Sequence, residues 1–168
     1  ATESDLFRDA FPDRFFTTGI AEANMIGVAA GMARCGDIPF VHSFSVFLTR
    51  RAFDQVAMQV AYPSLNVKLA GFLPGLTTLL GVSHQAIDDL ALMRVLPNMT
   101  IIEPAGASQI AAAVWAAAKI NGPVYLRLHK VRTAKTNIAV ENNLEVGKGQ
   151  LLRDGDDAVI FACGYMVA

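Results

Sequence analysis

Residues 39–71 read PFVHSFSVFLTRRAFDQVAMQVAYPSLNVKLAG, and this stretch decides the fold. Pro39–Ser43 is a short apolar run suited to a strand. From Val46 to Ala61 the apolar residues Val46, Phe47, Phe53, Val56, Ala57 and Val60 return at the spacing of one helix face, and the helix is expected to stop before Pro63. Asn66–Gly71 then reads as a second strand. A helix between two strands is the connection that parallel pairing requires.

The same alternation continues in both directions. Arg14–Thr18 is short and β-prone, and Glu22–Arg34 is an Ala-, Met- and Val-rich helix closing at Gly36. Beyond Gly71, residues 72–83 carry neither period and form a loop. Gln85–Val95 is expected to be a helix with Asp88 and Asp89 near its start. Met99–Ile102 is a strand, Ala107–Ile120 an Ala-rich helix, and Val124–Leu128 a strand. The expected architecture is therefore α/β, a parallel sheet with helices on both faces. Residues 1–135 make this domain and 136–157 a polar linker. Residues 158–168 contribute the first strand, Ala158–Cys163, of a further α/β domain. The chain opens without Met and stops just after that run, so we expect it to be part of a longer protein.

Composition narrows the function. The 168 residues are 53% hydrophobic and 17% charged, against roughly a quarter charged in ordinary soluble domains, so much of the surface is expected to be covered. The net charge of −1 offers no basic face for nucleic acid. No apolar run is long enough for a membrane helix, and no secretory signal opens the chain. Cys35 and Cys163 match no metal spacing and are expected to be reduced and buried, as in a cytoplasmic protein.

In an open α/β sheet, ligands gather at the carboxyl ends of the strands. Four turns are therefore candidates: Thr17–Glu22, His42–Phe47, Phe72–His84 and Glu103–Ala107. In the first, Gly19 permits a tight turn and Glu22 falls at a helix start, where a carboxylate is favoured by the helix dipole whether or not it does chemistry. In the second, Phe44 and Phe47 share one face, either as core or as a wall for a flat ring. Arg50 and Arg51 continue that helix, facing an anion or solvent. In the third, Gly71, Pro74, Gly75 and Gly81 shape a loop ending at His84, which is either structural or able to bind hydroxyls and move protons. The sequence has no GxSxG elbow, Walker A loop, zinc pattern or GxGxxG.

Read together, FPDRFFTTGIAEANMIGVAAGMA, FVHSFSVFLTRRAFDQV, GVSHQAIDDLALMRVLPNMTIIEPA and GPVYLRLHK resemble, in order and spacing, the pyrimidine-binding domain of transketolases. They are most similar to the C-terminal subunit of the split bacterial form. The resemblance implies a thiamine-diphosphate-dependent transferase that moves a ketol unit from a ketose phosphate to an aldose phosphate. Glu22 matches the glutamate that contacts ring nitrogen N1′ of the aminopyrimidine. As a carboxylic acid it would favour the imino tautomer that deprotonates thiazolium C2. That role implies a pKa raised by burial, keeping the carboxyl protonated. Phe44 and Phe47 match aromatics packed on the ring, and Arg50 falls where a further pocket side chain stands. His84 matches a histidine contacting the donor sugar, and Lys130 falls where an arginine often holds the substrate phosphate.

Two departures bear on the substrate. The family usually has a histidine and an acidic Gly-rich loop before S/T-H-Q. Here Phe72 and PGLTTLLG stand instead, with Leu80 in place of an aspartate, so a ketose other than the ordinary pentose phosphate is expected. The GDG…N motif that holds the diphosphate and Mg²⁺ is absent from the sequence. The resemblance thus implies a diphosphate-binding N-terminal partner in an α₂β₂ or homodimeric assembly. The rival readings are a deoxyxylulose-phosphate synthase, a 2-oxo-acid dehydrogenase β subunit, or a non-catalytic partner subunit.

Overall fold

The computed structural model describes residues 4–130 and 144–167. Four strands form one parallel sheet: β1 (Phe40–Phe44), β2 (Lys68–Phe72), β3 (Thr100–Ile102) and β4 (Val124–Leu128), in the order β1-β2-β4-β3. The α-helices are α1 (Asp5–Ala10), α2 (Glu22–Arg34), α3 (Phe53–Gln55), α4 (Asp89–Arg94) and α5 (Ala107–Lys119). The central strands β2 and β4 are almost wholly buried, as a parallel sheet covered on both faces demands.

The period-2 alternation of the strands divides the core. Leu69 and Tyr125 point to one face, packing with Ile26, Ala29 and Ala30 of α2, with Leu48, Val56 and Val60, and with Met93 of α4. Ala70, Val124, Leu126 and Leu128 point to the other, against Ala113 and Ala117 of α5. The ammonium of buried Lys68 donates to the carbonyls of Ile120 and Gly122, at 2.7 and 2.8 Å, where α5 ends. There it satisfies two carbonyls of the turn that follows the helix.

Registers set the carboxyl ends level. Phe44 pairs with Phe72, and Phe72 with Leu128. Gly71 lies one residue earlier, where a Cβ would come within 2.7 Å of both the Ser45 hydroxyl and the Tyr125 ring. Only glycine lets that ring cross the strand.

Several expectations are corrected. The 46–61 helix is not one regular α-helix. Wider π-helical turns, Phe47–Arg51 and Val56–Ala61, flank α3, with the Ala52 N–H donating to the Phe47 carbonyl at 3.2 Å. Helix 85–95 begins only at Asp89, because the Ala86 carbonyl is taken by the Gly75 N–H at 2.7 Å. Arg14–Thr18 forms no strand. Pro12–Arg14 is a 3₁₀ turn, and no neighbour pairs with the segment among the described residues. Residues 158–163 are exposed and carry no strand pairing among the described residues, since β-prone sequence holds no ladder without a partner. Of the expected linker, 136–143 lies outside the described residues. Cys35 and Cys163 are free, as expected, but exposed rather than buried. Among the described residues, no helix is long and apolar enough to cross a membrane.

Candidate active site

Glu22 opens α2, just after the turn at Gly19, whose φ of +70° suits glycine. It does not cap the helix. Its side chain turns inward against β1 and is only 7% exposed. The Ser43 hydroxyl donates to Oε1 at 3.2 Å, and Nη1 of Arg51 donates to Oε2 at 2.8 Å. Burial pushes the carboxyl pKa up. The hydrogen bond from Arg51, the Glu22 backbone N–H and the Arg51 charge outweigh that and hold it below the ordinary carboxylate value. The expectation of a protonated Glu22 is therefore corrected for this state of the chain, in which the acid is ionised because a cation sits on it.

The Arg51 guanidinium also lies over the Phe47 ring, 4.0 Å from its centroid. Phe47, Phe44 and His84 form a mutual edge-to-face cluster. Their centroids are 5.8 Å apart for Phe44–Phe47, 5.3 Å for Phe44–His84 and 5.1 Å for Phe47–His84. Glu22, Phe44, Phe47 and His84 thus join one chain of contacts, with Arg51 as the link. His84 reaches it from a turn rather than a helix start, its Nδ1 3.0 Å from the Ser83 hydroxyl.

Arg50 is directed elsewhere. Its Nε lies 2.9 Å from both carboxylate oxygens of Asp88, tying the π-turn to the start of α4. Lys130 is exposed, two residues beyond β4. Phe72 packs edge-on against half-buried His42, 5.8 Å between centroids, and Leu80 is exposed on the 72–83 loop. Burial lowers the His42 pKa.

Sequence reasoning missed a second polar group at the same sheet end. Arg127 donates to Asp89 through Nε at 2.7 Å and Nη2 at 3.2 Å, and to Glu103 through Nη1 at 2.6 Å. Tyr125 donates to Asp89 at 2.8 Å, and Nε2 of His129 lies 2.7 Å from Glu103. Two acids and an arginine on separate elements have no shared spacing, so no local signal marks them. Among the described residues, no group of three or more His, Cys, Asp or Glu side chains could hold a metal ion.

Residues 1–135 match the family described as transketolase, pyrimidine binding domain. The chain is a transketolase pyrimidine-binding domain. The family is one of thiamine-dependent transferases. This transketolase domain is 47% identical over 164 residues to the "6-deoxy-6-sulfo-D-fructose transketolase subunit SqwH" of Clostridium sp. (strain MSTE9), covering 96% of the chain and 50% of the relative. A "putative transketolase C-terminal section" of Methanocaldococcus jannaschii is 42% identical over 172 residues, covering 99% of the chain and 54% of that protein. A solved structure titled "Split gene transketolase, inactive beta4 tetramer" superposes with a TM-score of 0.81 at 46% identity, covering 93% of this chain and 50% of that one. The domain thus spans about half the length of these relatives.

A buried carboxyl beside half-buried phenylalanine rings is a donor set that fits a flat, protonatable aminopyrimidine, in which the acid would meet a ring nitrogen and the aromatics its faces.

Proposed function

We propose that this chain is the C-terminal, pyrimidine-binding part of a thiamine-diphosphate-dependent transketolase working with a diphosphate- and Mg²⁺-binding N-terminal subunit. The observation that carries the reading is a buried carboxyl, Glu22, in line with Arg51, Phe47, Phe44 and His84 at the carboxyl end of the sheet. Bound thiamine diphosphate would supply the electron sink for breaking and making a C–C bond.

Each residue then has a role. Glu22 donates a proton to the ring nitrogen, Phe44 and Phe47 exclude water from the ring, and His84 binds donor hydroxyls and assists proton movement. Lys130 meets the terminal anion of the sugar. That anion is a phosphate or, as the name of the SqwH relative suggests, a sulfonate. The apolar Phe72 and Leu80 support a donor other than the ordinary pentose phosphate, one needing fewer polar contacts. The reaction is ketol transfer from a ketose to an aldose, in the cytoplasm, by an α₂β₂ or homodimeric assembly.

Glu22→Gln, in the full-length chain assembled with its N-terminal subunit, tests the reading. The expected result is a kcat lower by about 10²- to 10⁴-fold, the range of a lost general acid. Full activity in this variant, or failure of the parent complex to bind thiamine diphosphate, sinks it.

A further inference from the structure

Arg51 occupies both features that the proposed function gives to the cofactor ring. Its Nη1 is on the Oε2 of Glu22, and its guanidinium covers Phe47 at 4.0 Å. The two contacts use one planar cation, bound to an anion at its edge and to an aromatic at its face. A neutral flat ring beside a carboxylic acid satisfies the same two groups by the same two surfaces. Both cannot be present together.

We propose that Arg51 is a placeholder for the aminopyrimidine: it holds Glu22 ordered and ionised in the unloaded chain and swings out to solvent on loading, when Glu22 takes up a proton. The inference rests on the functional reading above.

Arg51 can leave. Its side chain is already 47% exposed, while that of Glu22 is 7% exposed and fixed at the head of α2. The pairing follows from the wide π-helical turn at 47–51, which puts Arg51 on Glu22 while the adjacent Arg50 reaches Asp88. Once Arg51 departs, only the Ser43 hydroxyl and the Glu22 backbone N–H remain to support a negative carboxylate against burial. Among the elements packed against Glu22, α2 adds Arg34 in its last turn, β1 adds His42, the π-turn adds Arg50, and α3 adds Asp54. Arg50 is on Asp88, and none of these four is the charge that acts on Glu22; that charge is Arg51. Proton uptake is therefore the signature of the exchange, and its size reports how far Arg51 had held the acid ionised.

The test is calorimetric titration of thiamine diphosphate, with Mg²⁺ present, into the full-length assembled complex at pH 7.5. Two buffers of different ionisation enthalpy give the protons bound. The parent is expected to take up about one proton per site, with Kd rising about tenfold per pH unit. Arg51→Met should take up fewer protons and bind at least about threefold more tightly, because burial then raises the pKa of the unloaded acid with no cation opposing it. Arg51→Lys should restore the uptake. Binding by the parent without proton uptake, or an Arg51→Met complex with the parent's uptake and Kd, overturns the placeholder and leaves the functional reading standing. A parent complex that binds no cofactor overturns the functional reading itself.

Discussion

Arg127 forks onto Asp89, Nε to Oδ2 at 2.7 Å and Nη2 to Oδ1 at 3.2 Å, and so ties the end of β4 to the first turn of α4. Its remaining amino group is on Glu103, just past β3. Burial alone would lower the arginine pKa, but the hydrogen bonds and charges of Asp89 and Glu103 raise it instead. Burial pushes the Glu103 pKa up, and His129 and Arg127 bring it below its ordinary value. The three charges depend on each other, and Arg127 is the member that neutralises both acids.

Arg127→Met should therefore cost more than either acid variant. It strands two buried carboxylates, a loss of about 3–5 kcal/mol. Asp89→Asn keeps the Glu103 pairing and an oxygen for the Tyr125 hydroxyl, and should cost about 1–3 kcal/mol. Urea unfolding of the full-length chain measures both. An Arg127→Met loss no larger than that of Asp89→Asn would show that the cluster is not centred on the arginine.

Gly71→Ala should destabilise by about 1–3 kcal/mol, the range of overpacking. The new methyl meets the Ser45 hydroxyl and the Tyr125 ring at 2.7 Å, and that ring is fully buried and anchored on Asp89. Gly31→Ala is the contrast. It sits within α2 with nothing within 4 Å of its added Cβ, and should stabilise by up to about 1 kcal/mol. Equal thermal midpoints for the two variants contradict this account.

Burial lowers the pKa of Lys68 from 10.5 to about 8. Between these values the unfolded chain binds a proton that the folded chain has released, so stability rises with pH. Below pH 8 both states hold the proton and the folded state bears the full penalty. The difference in unfolding free energy between the parent and Lys68→Met should grow by about 2 kcal/mol from pH 8 to 9.5, in favour of the parent. A flat difference over that window would mean that the two carbonyl bonds offset the burial of the charge.

The strands at 39–43, 66–71, 99–102 and 124–128 were legible to within a residue or two because each is an apolar run closed by turn residues. Helices α2 and α5 were legible from their length and small-residue composition. Helix α4 was read too long, since a bridge between Pro74 and Ala86 is a tertiary contact that no local period encodes. Glu22, Phe44, Phe47 and His84 could be named because family motifs carry them in order. Arg51 could only be bracketed with Arg50.

The sequence by itself determined the alternation of elements, hence the parallel sheet, and the residue types gathered at its carboxyl end. The tertiary structure decided which of two adjacent arginines meets Glu22, because a wide π-helical turn sets their directions. It also decided the ionisation of that acid, since burial and a cation at 2.8 Å act through space and not along the chain.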